Sequence, residues 1–194
     1  MPLHGNLIDI IQGCINNNRG SQREFYLRYY GYAAAICIRY CNNDDDVNLI
    51  INDGFLKVYR SLGRFNPKHS NYEADLKGWM KRIMINTAID HLRKQNKNFV
   101  LAEVPPQHFD MAQETASSVD HLQFKEILAI IQKLSPVYRT VFTPYVMDGV
   151  KHKEIAAQLK ISVGTSKSNL AKARMNIQKM LKESDFNYYE QKAI

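Results

Sequence analysis

The chain has 194 residues, 45% of them hydrophobic, enough to bury one core or two small ones, so length does not choose between one domain and two. Its 26 Lys and Arg outweigh 19 Asp and Glu for a net charge of +7, an excess that selects polyanions as partners, nucleic acid first and an anionic membrane surface second. The opening MPLHGNLIDIIQGC lacks a basic start and a small-residue cleavage pattern, no stretch approaches the roughly 18 apolar residues of a membrane span, and three cysteines make no disulfide framework, so a soluble cytoplasmic protein is expected.

Apolar residues recur at three- and four-residue spacing between turn signals, and no alternating β-branched run suggests a sheet, so the fold class is all-α. Ser21 followed by Glu24 reads as a capping box that starts a helix through Tyr26, Tyr29, Tyr30 and Ile36 towards Cys41. Cys37 and Cys41 would share a face of that helix. With no second Cys or His pair at ligand spacing nearby, they read as buried thiols rather than half of a metal site.

The cluster Asn42 to Asp46 ends that helix and starts the next, DVNLIINDGFLKVYR. There Val47, Ile50, Ile51, Phe55 and Val58 form one stripe and leave Asn48, Asn52 and Asp53 outside. Gly63, Asn66 and Pro67 break the chain. From Asp75 helical spacing resumes with Leu76, Trp79, Met80, Ile83, Ala88, Ile89 and Leu92, ending in the basic run Arg93, Lys94 and Lys97.

Between Asn98 and Phe124 the acids Glu103, Asp110, Glu114 and Asp120 come with Pro105 and Pro106 and no Lys or Arg, the composition of a linker that a polyanion would not attract. After it, LQFKEILAIIQKL is a helix, and Ser135 with Pro136 is the N-cap and first-turn proline of another. Gly149 suits the C′ position of that helix, and Pro144 inside it should remove a backbone hydrogen bond and bend the last turn.

Lys151 to Leu159 form a short amphipathic helix with Ile155, Ala156 and Leu159 inward, and a break follows at Lys160 and Ile161. Ser162 then caps a helix whose inward stripe is Val163, Ser166, Leu170, Ala173, Ile177 and Leu181. Two helices joined so tightly make a helix-turn-helix. Thr165, Lys167, Ser168, Asn169, Lys172 and Arg174 are left outside or on the flanks, short polar groups for base edges and basic ones for phosphates. From Lys151 to Lys182 eight basic residues face the single acid Glu154, where a solvated face would mix signs.

These segments carry a family resemblance. DVNLIINDGFLKVY followed by GWMKRIMINTAIDHLRK, and beyond the linker LSPVYRTVFTPYVMDGVKHKEIAAQLKISVGTSKSNLAKAR, resemble in this order regions 2 and 4 of the bacterial sigma factors of the extracytoplasmic function group. The resemblance covers nearly the whole chain. It implies two small helical domains, region 2 over 1–98 and a region 4 helix-turn-helix over 120–194, joined by a linker over 99–119.

It also implies roles. The helix from Asp46 to Tyr59 would dock on core RNA polymerase through Asn48, Asn52, Asp53 and Lys57, where the family has longer acids and amides, and an acid in place of Leu49. The segment from Trp79 to Lys94 would read and melt the minus-ten element of promoter DNA, with Lys81, Arg82, Arg93 and Lys94 on phosphates. Asn86 falls near the base pocket, as a base contact or a helix cap, and Trp79 reads as core rather than a stacking platform. Region 4 would read the minus-thirty-five element with Thr165, Lys167, Ser168 and Lys172, while Arg174 and Lys151 hold the backbone. Asn169 stands where the family often has Arg, and Lys160 replaces the usual turn Gly. An anti-sigma partner that clamps both domains is compatible with the linker.

No Gly-rich phosphate loop, nucleophile constellation or metal pattern is present, so no enzyme and no cofactor is expected. Two readings compete: an autonomous dimeric repressor or activator, which leaves the helix at Asp46 without a task, and a zinc-dependent nucleic-acid enzyme using Cys37 and Cys41.

Overall fold

Periodicity and caps decide where the helices lie. The computed structural model describes residues 6–95 and 124–192, with side chains of the second stretch described over 126–182. All regular structure among them is helical, and none of those helices is long and apolar enough to cross a membrane. The chain divides into two compact units, Met1–His91 and Leu92–Ile194. The expected linker, 99–119, lies outside the described residues.

The first unit begins with a helix the sequence reading passed over, α1 (Leu7–Ile15), capped by the Asn6 side chain. Its Ile10, Ile11 and Cys14 are buried. α2 (Arg19–Cys37) starts earlier than expected: its cap is Asn18, whose carboxamide accepts from the Ser21 amide at 3.0 Å, so the Ser21 and Glu24 capping box does not form. α2 also stops at Cys37, where bonds from Arg39 to Ile36 and from Tyr40 to Cys37 tighten the chain. Cys41 is therefore off the helix, and the two cysteines share no helical face. Both are buried, and burial pushes the Cys37 thiol up to about 12, as it does Cys14 to about 11. Such thiols are inert.

α3 (Asp44–Ser61) begins as expected: Asn43 caps the Asp46 amide at 2.7 Å, and Asp44, Asp45 and Asp46 sit at the positive end of the helix. A short 3₁₀ turn, Leu62–Arg64, follows. α4 (Tyr72–Gln95) starts one turn before Asp75, because Asn71 accepts from the Ala74 amide at 3.0 Å. The core is Phe25, Tyr29, Ile36, Tyr40, Ile50, Ile51, Phe55, Leu76, Met80, Met84 and Ile89, all but closed to solvent. Full burial of one such side chain is worth about 1.5–3 kcal/mol, which holds three helices to one centre.

The second unit comprises α5 (Phe124–Lys133), α6 (Pro136–Phe142), α7 (His152–Leu159) and α8 (Val163–Lys192). Ser135 stands at the N-cap with Pro136 at the first helical position, though its hydroxyl makes no capping bond. Arg139 is buried, and its Nη2 donates to the carbonyls of Gln132 and, at 2.8 Å, Leu134, closing the C-terminal end of α5. At Pro144 the structure shows a wider turn that the sequence reading did not specify. α6 widens into a π turn over Thr143–Met147, and Gly149, at φ 71, ends it.

Candidate functional site

The helix-turn-helix is assembled from small residues. Ile155, Ala156 and Leu159 of α7 and Ser166, Leu170 and Ala173 of α8 are buried, and Ser166 and Ala173 are closed to solvent, so the two helices approach closely. Between them Lys160 takes the left-handed conformation, φ 57, which a Cβ disfavours but which lets the Ile161 amide reach the Ala156 carbonyl at 3.0 Å. Ser162 then caps α8, its hydroxyl accepting from the Thr165 amide at 2.9 Å.

His152 ties the two helices together. Its Nδ1 lies 2.9 Å from the Ser166 hydroxyl, and its ring stacks on Tyr145 at 4.2 Å. Burial first, then the charges of Lys167 and Arg174, hold its pKa below the ordinary histidine value. The same two cations define the field at this surface. Lys167, Arg174 and Lys151 are exposed, while Thr165, Ser168 and Lys172 are half-buried with atoms at the surface.

Two residues of α8 depart from the expected faces. Asn169 is only 6% exposed, so it is corrected from the outward set to the buried stripe, where Ser166, Asn169 and Ala173 follow one another at three and four residues. Val163, expected inward, is 42% exposed because the first turn extends beyond the packed part of the stripe.

In the first unit Asn48, Asn52 and Asp53 are exposed along α3, as their spacing predicts, and so are Leu49 and Leu56. Helix geometry places Leu49, Asn52, Asp53 and Leu56 on one outer stripe. Sequence reading missed what holds this edge. The hydroxyl of Tyr26 donates to Asn52 Oδ1 at 3.1 Å, and that of Tyr30 to Asn48 Oδ1 at 3.2 Å, both from α2. Burial, then the neighbouring Tyr30, raises the pKa of Tyr26, so its hydroxyl stays a donor. Lys57 is exposed at the side of this stripe and reaches towards α4, its Nζ donating to Thr87 Oγ1 at 3.1 Å and lying 3.8 Å from Asp90.

On α4, Arg82, Asn86 and Lys94 are exposed, while Lys81 and Arg93 are half-buried. Arg82, Asn86 and Arg93, spaced by four and seven, share one face of the helix. Trp79 is half-buried rather than in the core: its ring lies 5.2 Å from Phe65, which meets Tyr72 edge-on at 5.5 Å. Asp75 ties down the loop between these rings, accepting from the amides of Lys68 and His69 at 2.5 and 2.7 Å. The His69 ring, 2.6 Å away, is the first cause of the lowered Asp75 pKa. Among the described residues no group of three or more His, Cys, Asp or Glu could hold a metal ion.

The family comparisons fall on these same two units. The profile for Sigma-70 region 2 matches residues 25–98, and that for Sigma-70, region 4 matches residues 124–177, together well over half of the chain. The chain belongs to the sigma-70 family. The RNA polymerase sigma-H factor of Pseudomonas aeruginosa is 28% identical over 177 residues, covering 84% of this chain and 89% of that one. The ECF RNA polymerase sigma-E factor of Escherichia coli is 28% identical over 169 residues, covering 80% and 85%. Its place within the family is the extracytoplasmic function group. Among solved structures, the sigma factor RpoE of Bartonella quintana, crystallised with the anti-sigma factor NepR, matches with a TM-score of 0.50 at 19% identity over 82% of this chain and 96% of that one, a likeness of fold.

Proposed function

We propose that this sigma factor binds core RNA polymerase through the outer edge of α3 and directs initiation by reading and melting promoter DNA. In this reading α8 enters the major groove at the minus-thirty-five element, where Lys167, Ser168, Thr165 and Lys172 meet base edges and Arg174 and Lys151 meet phosphates. A good bidentate base contact discriminates by about 1–3 kcal/mol. The Arg82, Asn86 and Arg93 face of α4, flanked by Lys81 and Lys94, takes the minus-ten strand. Extruding a base there costs a few kcal/mol in lost stacking, which contacts to the extruded base offset. All bond-making belongs to the polymerase.

The observation that carries this reading is that one chain holds both a basic helix-turn-helix matched by region 4 and, in a separate unit, an exposed edge on the helix matched by region 2. A DNA-binding regulator acting alone would use only the first. An anti-sigma partner for this chain is proposed on the likeness to a sigma factor solved with one.

In vitro transcription with purified core polymerase on a genomic DNA pool tests the reading directly. The full chain should create new, defined start sites, and should bind promoter duplex tightly only together with core. Lys167→Ala should weaken promoter-specific transcription and spare co-purification with core, and Asp53→Lys should do the reverse. Start sites unchanged by adding the chain, or tight binding to a palindrome without polymerase, would overturn the proposal.

A further inference from the structure

Beyond its first turn, where Asp44 and Asp45 are exposed, the outer edge of α3 is chemically unlike an acidic docking edge. Asn48 and Asn52 are neutral amides, Leu49 and Leu56 are 50% and 51% exposed, and Asp53 is the one charge on the stripe from Leu49 to Leu56. Exposed amides usually sample several rotamers, and fixing them on binding costs affinity. Here the cost falls on folding instead, because Tyr26 and Tyr30 hold one oxygen of each amide at 3.1 and 3.2 Å. The two rings lie 5.5 Å apart, and Tyr26 is braced 4.6 Å from the buried Phe55, so the hydroxyls are presented by a rigid pair. With the oxygens engaged, the amide nitrogens of Asn48 and Asn52 have no partner among the described residues.

We propose that Tyr26 and Tyr30 are positioning residues of the polymerase-docking surface: they aim the amide nitrogens of Asn48 and Asn52 at acceptor oxygens on the partner, between apolar contacts made by Leu49 and Leu56. This rests on the docking role of α3 argued above and adds to it the chemistry of the partner face. That face offers carbonyl acceptors and apolar side chains around a cation opposite Asp53, rather than a row of cations. Complementarity of this kind depends little on ionic strength, since the surface loses almost no ion pair when salt is added. Tyrosine suits the task, giving a large rigid contact with a polar end at small entropic cost.

The test is holoenzyme formation by the full chain with purified core polymerase. Tyr26→Phe with Tyr30→Phe removes two hydroxyls and keeps both rings, and circular dichroism should show the same helical content as wild type. The pair should weaken core binding about tenfold, because two asparagine side chains must then be immobilised on binding. In a background of Asn48→Ala with Asn52→Ala the same tyrosine changes should cost less than about twofold, because there is nothing left to aim. Affinity of the wild-type chain should change less than about threefold between about 0.1 and 0.5 M KCl. Leu56→Arg, on the same stripe, separates this inference from the reading beneath it. If Leu56→Arg abolishes binding while the tyrosine pair binds like wild type, or its penalty is unchanged without the asparagines, or affinity falls steeply with salt, the positioning role is wrong and the docking edge stands. If Leu56→Arg binds core normally, the docking edge itself is wrong.

Discussion

Gly54→Ala provides a sharp test of how α3 and α4 are held together. A Cβ built on Gly54 would lie 2.3 Å from Met84 Sδ and 3.0 Å from its Cε, and Met84 is fully buried. The thioether cannot swing into solvent, so α4 must shift or the side chain must leave its rotamer, an overpacking cost of about 1–3 kcal/mol. Against this, alanine in a helix interior gains about 0.5–1 kcal/mol over glycine. At the centre of the two ranges the cost wins, and a net loss of about 1 kcal/mol is expected. Gly31 in α2 and Gly78 in α4 supply the control, since a Cβ at either meets nothing within 4 Å. Gly31→Ala and Gly78→Ala should each stabilise by the propensity gain alone, about 0.5–1 kcal/mol. Trp79, the single tryptophan, belongs to this unit, so its fluorescence during urea or thermal unfolding reports the right transition. Gly54→Ala should lower the midpoint by about 5 °C or more while the controls raise it. If all three alanines stabilise alike, the close approach of Met84 does not hold these helices and the packing argument fails.

Three further outcomes concern the second unit. Arg139→Met should destabilise it by about 2–5 kcal/mol, since the carbonyls of Gln132 and Leu134 lose a buried cationic donor, and the amides of α5 and α6 should exchange correspondingly faster with deuterium. Lys160→Gly should stabilise it by up to about 1 kcal/mol by relieving a left-handed Cβ, less the extra freedom glycine gives the unfolded chain; a lower thermal midpoint would contradict the turn geometry. His152 has a pKa depressed below its ordinary 6.5, so the unfolded chain takes up a proton before the folded one does. Its contribution to stability is therefore complete above about pH 6.5 and is lost as pH falls through the folded value. An NMR titration of the imidazole should show a midpoint below 6.5, and His152→Gln should flatten the acid side of the stability profile of α7 and α8.

Much of this was legible in the sequence, for reasons that also explain the misses. The stripes of α3 and α7 are read correctly because every apolar residue on them is buried within one unit, so spacing alone assigns the face. Capping was legible where one polar residue stands at a break, as with Ser162; in the polar run Asn42 to Asp46 only the helix start was, and the structure puts the cap at Asn43. It misled where several compete: in the run Asn16, Asn17 and Asn18 the chain reverses, with Asn17 at φ 58, and Asn18 takes the cap that Ser21 was expected to hold. The α1 pattern of Leu7, Ile10, Ile11 and Cys14 was present but was weighed only as a leader segment. Asn169 shows a different limit, since a polar side chain at a stripe position can turn inward among small neighbours, and polarity argues for the surface only where bulky residues already fill the core.

The docking edge shows what single-helix reasoning cannot supply. Spacing on α3 exposes Asn48 and Asn52, and spacing on α2 gives Tyr26 and Tyr30 no task, because hydrogen bonds spanning 18 and 26 residues are invisible to periodicity. Read one helix at a time, the missing acids at Asn48 and Leu49 look like a weakened contact. Once the tyrosines are in place the same residues describe a different contact: carboxylates would accept from the same two hydroxyls but would repel each other along the edge and offer the partner no donor, whereas two amides held by two phenols present donors without paying to desolvate a charge. The amides on α3 and the aromatic pair on α2 therefore belong together, and Asn48→Asp with Asn52→Asp should weaken co-purification with core even though both tyrosine hydroxyls keep an acceptor, because the outward donors are gone.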